Sequence, residues 1–184
     1  MIIIKKNGEK QIRNELFSIT GAKDTINLLR SKFGIKIGSS TGYTSEIMEK
    51  LKPMAAAEGY APDSYVTSDQ VPNGRPSPAM IYQNMINLDV WAPQSVVKVD
   101  DTTGGIKAGL HCGAWTVGIA KTGNYVALTE EDMDKMNPDE LEAKVEKARG
   151  ILKASGAHFV IDTINDLPAI IEKINHKLEL GLSP

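Results

Sequence analysis

Cysteine is nearly absent from this sequence, since Cys112 is the only one in 184 residues. A single cysteine excludes an internal disulfide, and no Cys/His cluster has the spacing of a zinc site. This usage is typical of a reducing compartment, and we expect a cytoplasmic protein. The three histidines, His111, His158 and His176, lie far apart with no serine or cysteine motif around them. A hydrolase triad is therefore not expected.

Long apolar runs and an excess of charge of one sign are absent as well. No apolar stretch approaches the ~20 residues of a membrane span, and residues 1–4 are too short for the core of a signal peptide. The net charge of -2 gives no basic field for nucleic acid. We expect a soluble protein without a nucleic-acid or membrane partner. With 41% hydrophobic residues, the length suits one domain over residues 1–184.

Helical and strand-like patterns alternate along the chain. Apolar spacing predicts helices over 22–30, from Thr44 or Ser45 to Gly59, after Ser77, and over 105–110, 138–156 and 166–178. Pro53 is expected to kink or shorten the second of these. Short apolar runs predict strands over 35–37, 64–67, 95–99, 115–119 and 158–161, and the polar stretch 122–138 is expected to be a surface excursion. The pattern predicts a Rossmann-like three-layer α/β sandwich with a mostly parallel sheet, whose ligands bind at the carboxyl ends of the strands.

The first of three informative segments is Ser40-Thr41-Gly42-Tyr43, between a predicted strand and a predicted helix. Hydroxyls and backbone amides at a helix N-terminus can hold a phosphoryl oxygen. The alternative is a turn followed by a helix cap, and Tyr43 is equally consistent with packing.

The second segment places Arg75 between Gly74 and Pro76. A guanidinium on a restrained loop can reach across strand ends to a phosphate or phosphonate. The alternative is a solvated surface charge.

The third segment is the acidic pair Asp100-Asp101, after the apolar run 96–99. Adjacent carboxylates at the end of a buried strand repel each other unless a positive charge offsets them, and Mg²⁺ is a common partner. The alternative is that one aspartate caps the helix beginning near Gly104.

In this order and spacing, the three segments resemble the second, third and fourth motifs of the haloacid dehalogenase superfamily. More narrowly, residues 35–44, 71–76, 97–102 and 113–118 resemble the phosphonoacetaldehyde hydrolase family, because Arg75 stands in a Gly-Arg-Pro setting and Thr-Gly-Tyr follows the strand. The resemblance runs from about residue 19 to 174. It implies a haloacid dehalogenase-like core and a small-molecule phosphonate partner.

The resemblance implies hydrolysis of the C–P bond of phosphonoacetaldehyde to acetaldehyde and phosphate. A lysine of a helical cap forms a Schiff base with the aldehyde in this family, and a Mg²⁺-assisted aspartate attacks phosphorus. Position by position, Ser40, Thr41 and Gly42 would hold phosphoryl oxygens and Arg75 would neutralise them, so that Thr41 and Arg75 are the catalytic candidates. Asp101, helped by Asp100, would bind Mg²⁺.

Two features depart from the family pattern. Some relatives carry a second acid four residues after the first, where this chain has Gly105. The family also opens with an Asp-x-x-Gly-Thr turn that supplies the nucleophile, followed by the cap. On the resemblance we therefore expect an N-terminally shortened core that lacks the first strand, the cap, the nucleophile and the Schiff-base lysine, and that is inactive alone. Cap residues mediate homodimer contacts in the full-length family, and no oligomeric state follows for this chain.

Two other functions stay open at this point. One is a phosphatase or mutase of the same superfamily with an unrecognised nucleophile, for which Asp24 is the early candidate. The other is a non-catalytic module that binds phosphate or Mg²⁺.

Overall fold

The computed structural model describes residues 19–184, which form two compact units, residues 19–91 and 92–184. The apolar run 1–4 lies outside the described residues. The expectation of one domain over 1–184 stays a prediction.

The first unit pairs two short parallel strands and adds three helices within residues 19–91. Ser39 lies opposite Tyr65 in this pairing, and Thr41 lies opposite Thr67. In chain order the elements are α1 (Ala22–Phe33), β1 (Gly38–Thr41), α2 (Ser45–Ala57), β2 (Ser64–Thr67), a 3₁₀ turn (Ser68–Gln70) and α3 (Ala79–Asn87).

One prediction for the first unit needs correction. The strand predicted over 35–37 begins at Gly38, because the paired backbone is that of Gly-Ser-Ser-Thr. Ile37 still contacts the segment just before β2, since its carbonyl accepts from the amide of Asp63 at 2.8 Å. Pro53 lies inside α2, which continues to Ala57, and the kink expected at this proline stays a prediction. The end of α1 is as predicted, because Gly34 follows it with φ of 65°, a conformation that favours glycine.

The second unit has a sheet of three parallel strands in the order β3-β4-β5. Thr116 lies opposite Lys98, and Gly118 lies opposite Asp100. The elements are a 3₁₀ turn (Pro93–Ser95), β3 (Val97–Asp100), α4 (Thr103–Cys112), β4 (Trp115–Ile119), α5 (Glu130–Lys135), α6 (Pro138–Ala154), β5 (Phe159–Ile161), a 3₁₀ turn (Ile164–Asp166) and α7 (Leu167–Glu179).

The core of the second unit lies where α4 and α6 pack on the sheet. All five residues of β4 are buried, including Trp115 as predicted, because strands to either side and helices above leave no exposed face. Buried residues of one cluster join these elements: Ile106, Ala120, Val126, Val145, Ala148 and Leu152.

The stretch 122–138 is mostly exposed, as its polarity predicts, but buried residues within it anchor it to the core. It contains α5, which begins after Thr129 with a capping box to Asp132, and Val126 and Met133 within it are buried. Two apolar anchors suffice to hold an otherwise charged segment against the core.

The α/β fold with parallel strands is confirmed in both units, since each described strand pair is parallel. Among residues 19–184, none of the helices has the length and apolar character needed to cross a membrane.

Candidate functional site

The carboxyl end of β1 carries the hydroxyl residues of the first segment. Ser40 and Thr41 are half-buried at the end of the strand, and Gly42 directly after them is exposed. The Thr41 hydroxyl oxygen accepts a hydrogen bond from the amide of Tyr43 at 3.2 Å. The turn therefore folds back on itself and holds the Thr41 side chain at the strand end.

The loop between β1 and α2 is tied to the 3₁₀ turn after β2. The Ser68 hydroxyl donates to the carbonyl of Gly42 at 2.9 Å. The Asp69 carboxylate accepts from the amide of Ser45 at 3.0 Å and from its hydroxyl at 3.2 Å. Hydrogen bonds from the hydroxyl of Thr67 and from Ser45 hold the pKa of Asp69 below its ordinary value.

Asp69 changes the expectation for the N-terminus of α2. The sequence predicts backbone amides there that could face an anion, but the amides of Tyr43 and Ser45 already bind Thr41 and Asp69. An ionised Asp69 at this position also disfavours a second anion on the same amides. Sequence reasoning missed Asp69, although the capping box formed by Thr67 and Gln70 was a readable sign of an ordered turn.

Arg75 lies in the exposed loop between β2 and α3, and its peptide bond to Pro76 is cis. Its guanidinium extends to the β1 loop, since a Cβ built on Gly42 would stand 3.4 Å from Arg75 Nη2. Glycine at position 42 thus permits close approach of the guanidinium to the backbone. The structure brings the Arg75 side chain to Gly42, and its role in an anion site stays a prediction.

Asn84 of α3 holds β1 in place beneath this loop. Its buried side-chain amide donates to the carbonyl of Ser39 at 3.1 Å and to that of Met80 at 3.0 Å. Gly38 makes room for it, because a Cβ there would lie 3.0 Å from Asn84 Oδ1. Sequence reasoning missed Asn84, which occupies an apolar stripe position of α3.

The carboxyl end of β3 carries the acidic pair, with Asp100 1% and Asp101 8% exposed. Asp100 Oδ1 accepts from the amide of Thr102 at 3.0 Å and from its hydroxyl at 2.7 Å. Thr102 in turn caps α4, because its hydroxyl oxygen accepts from the amide of Gly105 at 3.1 Å. The alternative that an aspartate caps this helix is therefore wrong.

Each aspartate has a further contact within the second unit. Lys98 Nζ lies 3.0 Å from Asp100 Oδ2, and the amide of Asn124 donates to Asp101 Oδ2 at 2.9 Å. The ammonium of Lys98 offsets part of the repulsion from which the sequence argument inferred a metal. Sequence reasoning missed this partner, although alternation along β3 places Lys98 and Asp100 on one face.

Within residues 19–184, no three His, Cys, Asp or Glu side chains are grouped so as to hold a metal ion. Two adjacent carboxylates nevertheless suit Mg²⁺, which is commonly bound by one or two carboxylates together with water and substrate oxygens. The donor set of Asp100 and Asp101 therefore fits this ion.

Gly105 has a physical explanation in the position of Asp100. A Cβ built on Gly105 would overlap the carboxyl group of Asp100. An acid at position 105 and the observed Asp100 side chain therefore exclude each other, which is why this chain can carry only one of the two arrangements.

The other candidate residues lie in ordinary structural settings. Asp24 is exposed in the first turn of α1 and not at a strand end. Cys112 is buried, and burial raises the pKa of its thiol, as expected for a residue that acts as a small hydrophobe.

Comparison with known proteins relates these features to a family. The family model for haloacid dehalogenase-like hydrolases matches residues 2–113. Phosphonoacetaldehyde hydrolase of Klebsiella pneumoniae is 48% identical over 167 residues, which are 90% of this chain and 62% of that protein. Phosphonoacetaldehyde hydrolase of Bacillus cereus strain G9842 is 46% identical over 165 residues, with the same two coverages of 90% and 62%.

Comparison with solved structures gives a similar result. The crystal structure of a phosphonoacetaldehyde hydrolase like protein from Oleispira antarctica has a TM-score of 0.88 and 38% identity, and the match covers 91% of this chain and 60% of that one. The chain thus spans 60 to 62% of the length of these relatives.

Proposed function

Because the chain belongs to the haloacid dehalogenase-like hydrolases, we propose that it is the phosphonate- and Mg²⁺-binding part of a phosphonoacetaldehyde hydrolase. The observation that carries the proposal is the reach of the Arg75 guanidinium to Gly42 at the end of β1. The 48% identity to the Klebsiella pneumoniae enzyme supports the choice of substrate.

Arg75 supplies the fixed positive charge for the phosphonate. A guanidinium presents several N–H donors in a plane, which matches two oxygens of a phosphonate better than an ammonium does. Ser40 and Thr41 donate hydroxyl hydrogen bonds to the same group, Gly42 leaves room for it, and Tyr43 borders it. Since Asp69 occupies the N-terminus of α2, the affinity depends on Arg75 more than on backbone amides.

Asp101, helped by Asp100, would hold Mg²⁺, which would supply positive charge to offset the negative charge of the phosphonate. The residues of this chain contribute the oxygen ligands and keep them in place through Thr102 and Asn124.

The full reaction, cleavage of the C–P bond to acetaldehyde and phosphate, also needs a nucleophilic aspartate and a Schiff-base lysine. The printed sequence has no Asp-x-x-Gly-Thr turn. We therefore expect the 184-residue chain to bind its ligands without turnover.

Calorimetric titration with methylphosphonate and with inorganic phosphate tests the phosphonate site. Arg75→Ala should weaken binding about 10- to 100-fold, the usual loss for a hydrogen bond to a charged group, and Arg75→Lys should recover only part of it. Lys50→Ala removes one exposed positive charge from α2 as the matched control and should leave the affinity within about twofold. Equal losses in Arg75→Ala and Lys50→Ala would contradict the proposal.

An assay of acetaldehyde release from phosphonoacetaldehyde with Mg²⁺ tests the missing groups. The chain alone should show no release above background. A fusion of this chain with the part of the Klebsiella pneumoniae relative that the match does not cover should release acetaldehyde. Arg75→Ala in this fusion should abolish the release. A fusion that folds and binds phosphonate without turnover would favour a binding module, and Arg75-dependent turnover by the chain alone would reveal a nucleophile of its own.

A further inference from the structure

A short turn in the first unit connects the two segments that would hold the phosphonate. It consists of Thr67, the last residue of β2, and the 3₁₀ turn Ser68–Gln70, and we call these four residues the clamp turn. On one side the clamp turn contacts the loop after β1, which carries Gly42. On the other side the chain continues directly into the loop that carries Arg75. The placement of Gly42 relative to Arg75 therefore depends on this turn.

Asp69 joins the clamp turn to the start of α2. Its Oδ1 accepts from the amide of Ser45 at 3.0 Å and from the Ser45 hydroxyl at 3.2 Å, and its Oδ2 accepts from the same amide at 3.1 Å. The Ser45 hydroxyl also lies 2.9 Å from the hydroxyl of the buried Thr67. These contacts fix the first residue of α2 relative to the end of β2.

Ser68 joins the clamp turn to the loop after β1 itself. Its hydroxyl donates to the carbonyl of Gly42 at 2.9 Å, and its amide donates to the carbonyl of Tyr43 at 3.2 Å. Together with Asp69, it holds the loop at both ends of the short run from Gly42 to Ser45. Because the Arg75 guanidinium approaches Gly42, the clamp turn sets the space between them.

The negative charge of Asp69 opposes anion binding at this place. Hydrogen bonds from the Thr67 hydroxyl and from Ser45 hold the pKa of Asp69 below its ordinary value, so that its carboxylate is ionised at neutral pH. A negative charge beside an anion site weakens binding by Coulomb repulsion. Asp69 therefore favours binding only through the backbone that it holds.

We propose that Asp69 is a positioning residue of the anion site: it holds the loop after β1 at the distance from Arg75 at which one phosphonate fits between them. The inference rests on the phosphonate site proposed above and adds to it a residue that does not touch the ligand. It predicts that removal of the charge and removal of the contacts change the affinity in opposite directions.

Two substitutions of the exposed Asp69 separate its charge from its contacts, with the Kd for methylphosphonate measured by calorimetry. Asp69→Asn keeps an oxygen in the place of Oδ1 for both hydrogen bonds from Ser45, so the Kd should be unchanged or up to about threefold lower. Asp69→Ala also loses the contacts, and the Kd should rise about fivefold or more because the loop is no longer fixed. Glu49→Ala removes an exposed carboxylate from α2 as the matched control and should stay within about twofold.

Ser68→Ala gives a second test that changes no charge. It removes the hydrogen bond to the carbonyl of Gly42 and should raise the Kd about threefold. All variants are compared below their melting transitions, where a residue that only stabilises the fold leaves the Kd unchanged. Asp69→Asn should thus recover the affinity lost in Asp69→Ala, which a purely structural role does not require.

The outcomes separate this inference from the proposal on which it rests. A lower Kd in both Asp69 variants would make Asp69 only a repelling charge and would overturn the inference. An equal rise in both variants, or an unchanged Kd in Asp69→Ala and Ser68→Ala, would also overturn it. In these cases the site stands as long as Arg75→Ala still weakens binding. Absence of methylphosphonate binding by the unaltered chain, or binding that is insensitive to Arg75→Ala, would overturn the site and the inference together.

Discussion

The loop after β1 in the first unit and the loop after β3 in the second carry chemically active side chains, but the two are fixed in opposite ways. Gly42 of the first loop is exposed, as is Arg75, which reaches it from the loop between β2 and α3. The hydrogen bonds that hold the first loop come from the half-buried Ser68 and the exposed Asp69. Lys98 and Asp100 are buried beneath a helix that closes over them through two glycines. Side chains of the first loop can therefore be substituted without unfolding the protein. Substitution of Lys98 or Asp100 should in contrast also change the free energy of unfolding.

The largest effect is expected from adding a side chain at Gly109 of α4, where the helix lies close to β3 and β4. Gly109→Ala should lower the free energy of unfolding by roughly 3 kcal/mol, because its Cβ would press on the buried Thr116 and Lys98 side chains. Gly150→Ala is the control, since Gly150 lies in α6 with nothing within 4 Å of a built Cβ, and it should stabilise by about 0.5–1 kcal/mol. Urea denaturation measures both, and equal effects would show that the space beside Gly109 is not tightly filled.

In the first unit, the corresponding buried support is Asn84. Asn84→Ala removes the hydrogen bonds to the carbonyls of Ser39 and Met80 and should cost about 1–2 kcal/mol in the same denaturation experiment. Gln83→Ala on the same helix loses only an exposed contact to Asn87 and should change stability by less than about 0.5 kcal/mol. If the two variants proved equally stable, Asn84 would not be what holds β1 to α3.

A smaller, pH-dependent effect is expected at His158 in the second unit. Burial lowers the pKa of this imidazole, and its Nδ1 accepts from the amide of Thr116 at 3.0 Å, so the folded state favours the neutral ring. The stabilisation is complete above the pKa of the unfolded state, about 6.5, and is lost as the pH falls below it. His158→Asn keeps an acceptor for Thr116 and should flatten the dependence of stability on pH between 7.5 and 5.5. An unchanged slope would assign that dependence to other groups.

The smallest effect on stability is expected where the effect on ligand binding is largest. Arg75→Ala should change the free energy of unfolding by no more than about 0.5 kcal/mol, because Arg75 is an exposed loop residue. Thermal denaturation without ligand checks this. A loss comparable to that of Asn84→Ala would mean that the two loops are not fixed in opposite ways.

The regular elements were largely predictable from the sequence, because short apolar strands bounded by polar residues leave little ambiguity. The strands over 64–67 and 115–119 coincide with β2 and β4. The first strand was predicted too early in the chain, because Ile35 and Ile37 have a higher intrinsic β-propensity than the polar residues of β1. The position of the observed strand is set by its pairing with β2. Tertiary pairing overrides local preference in such short strands.

The residues that hold the candidate site in place were harder to predict than the residues that would bind the ligands. Arg75, Asp100 and Asp101 stand out by residue type, and the family resemblance gave them roles that stay predictions. Asn84 and Asp69 look like surface polar residues in the sequence, and only the packing of distant segments shows that they hold Ser39 and Ser45. No local pattern encodes these two contacts, because Asp69 is 24 residues from Ser45 and Asn84 is 45 residues from Ser39.

The glycine content of α4 also bears on how the second unit opens. Three of its ten residues are glycine, and each weakens an isolated helix by about 1 kcal/mol relative to alanine. Such a segment has little helicity of its own, so α4 depends on β3 and β4 for its existence. Its amide protons should therefore exchange with solvent at the rate of global opening of the second unit and not through fraying of the helix alone.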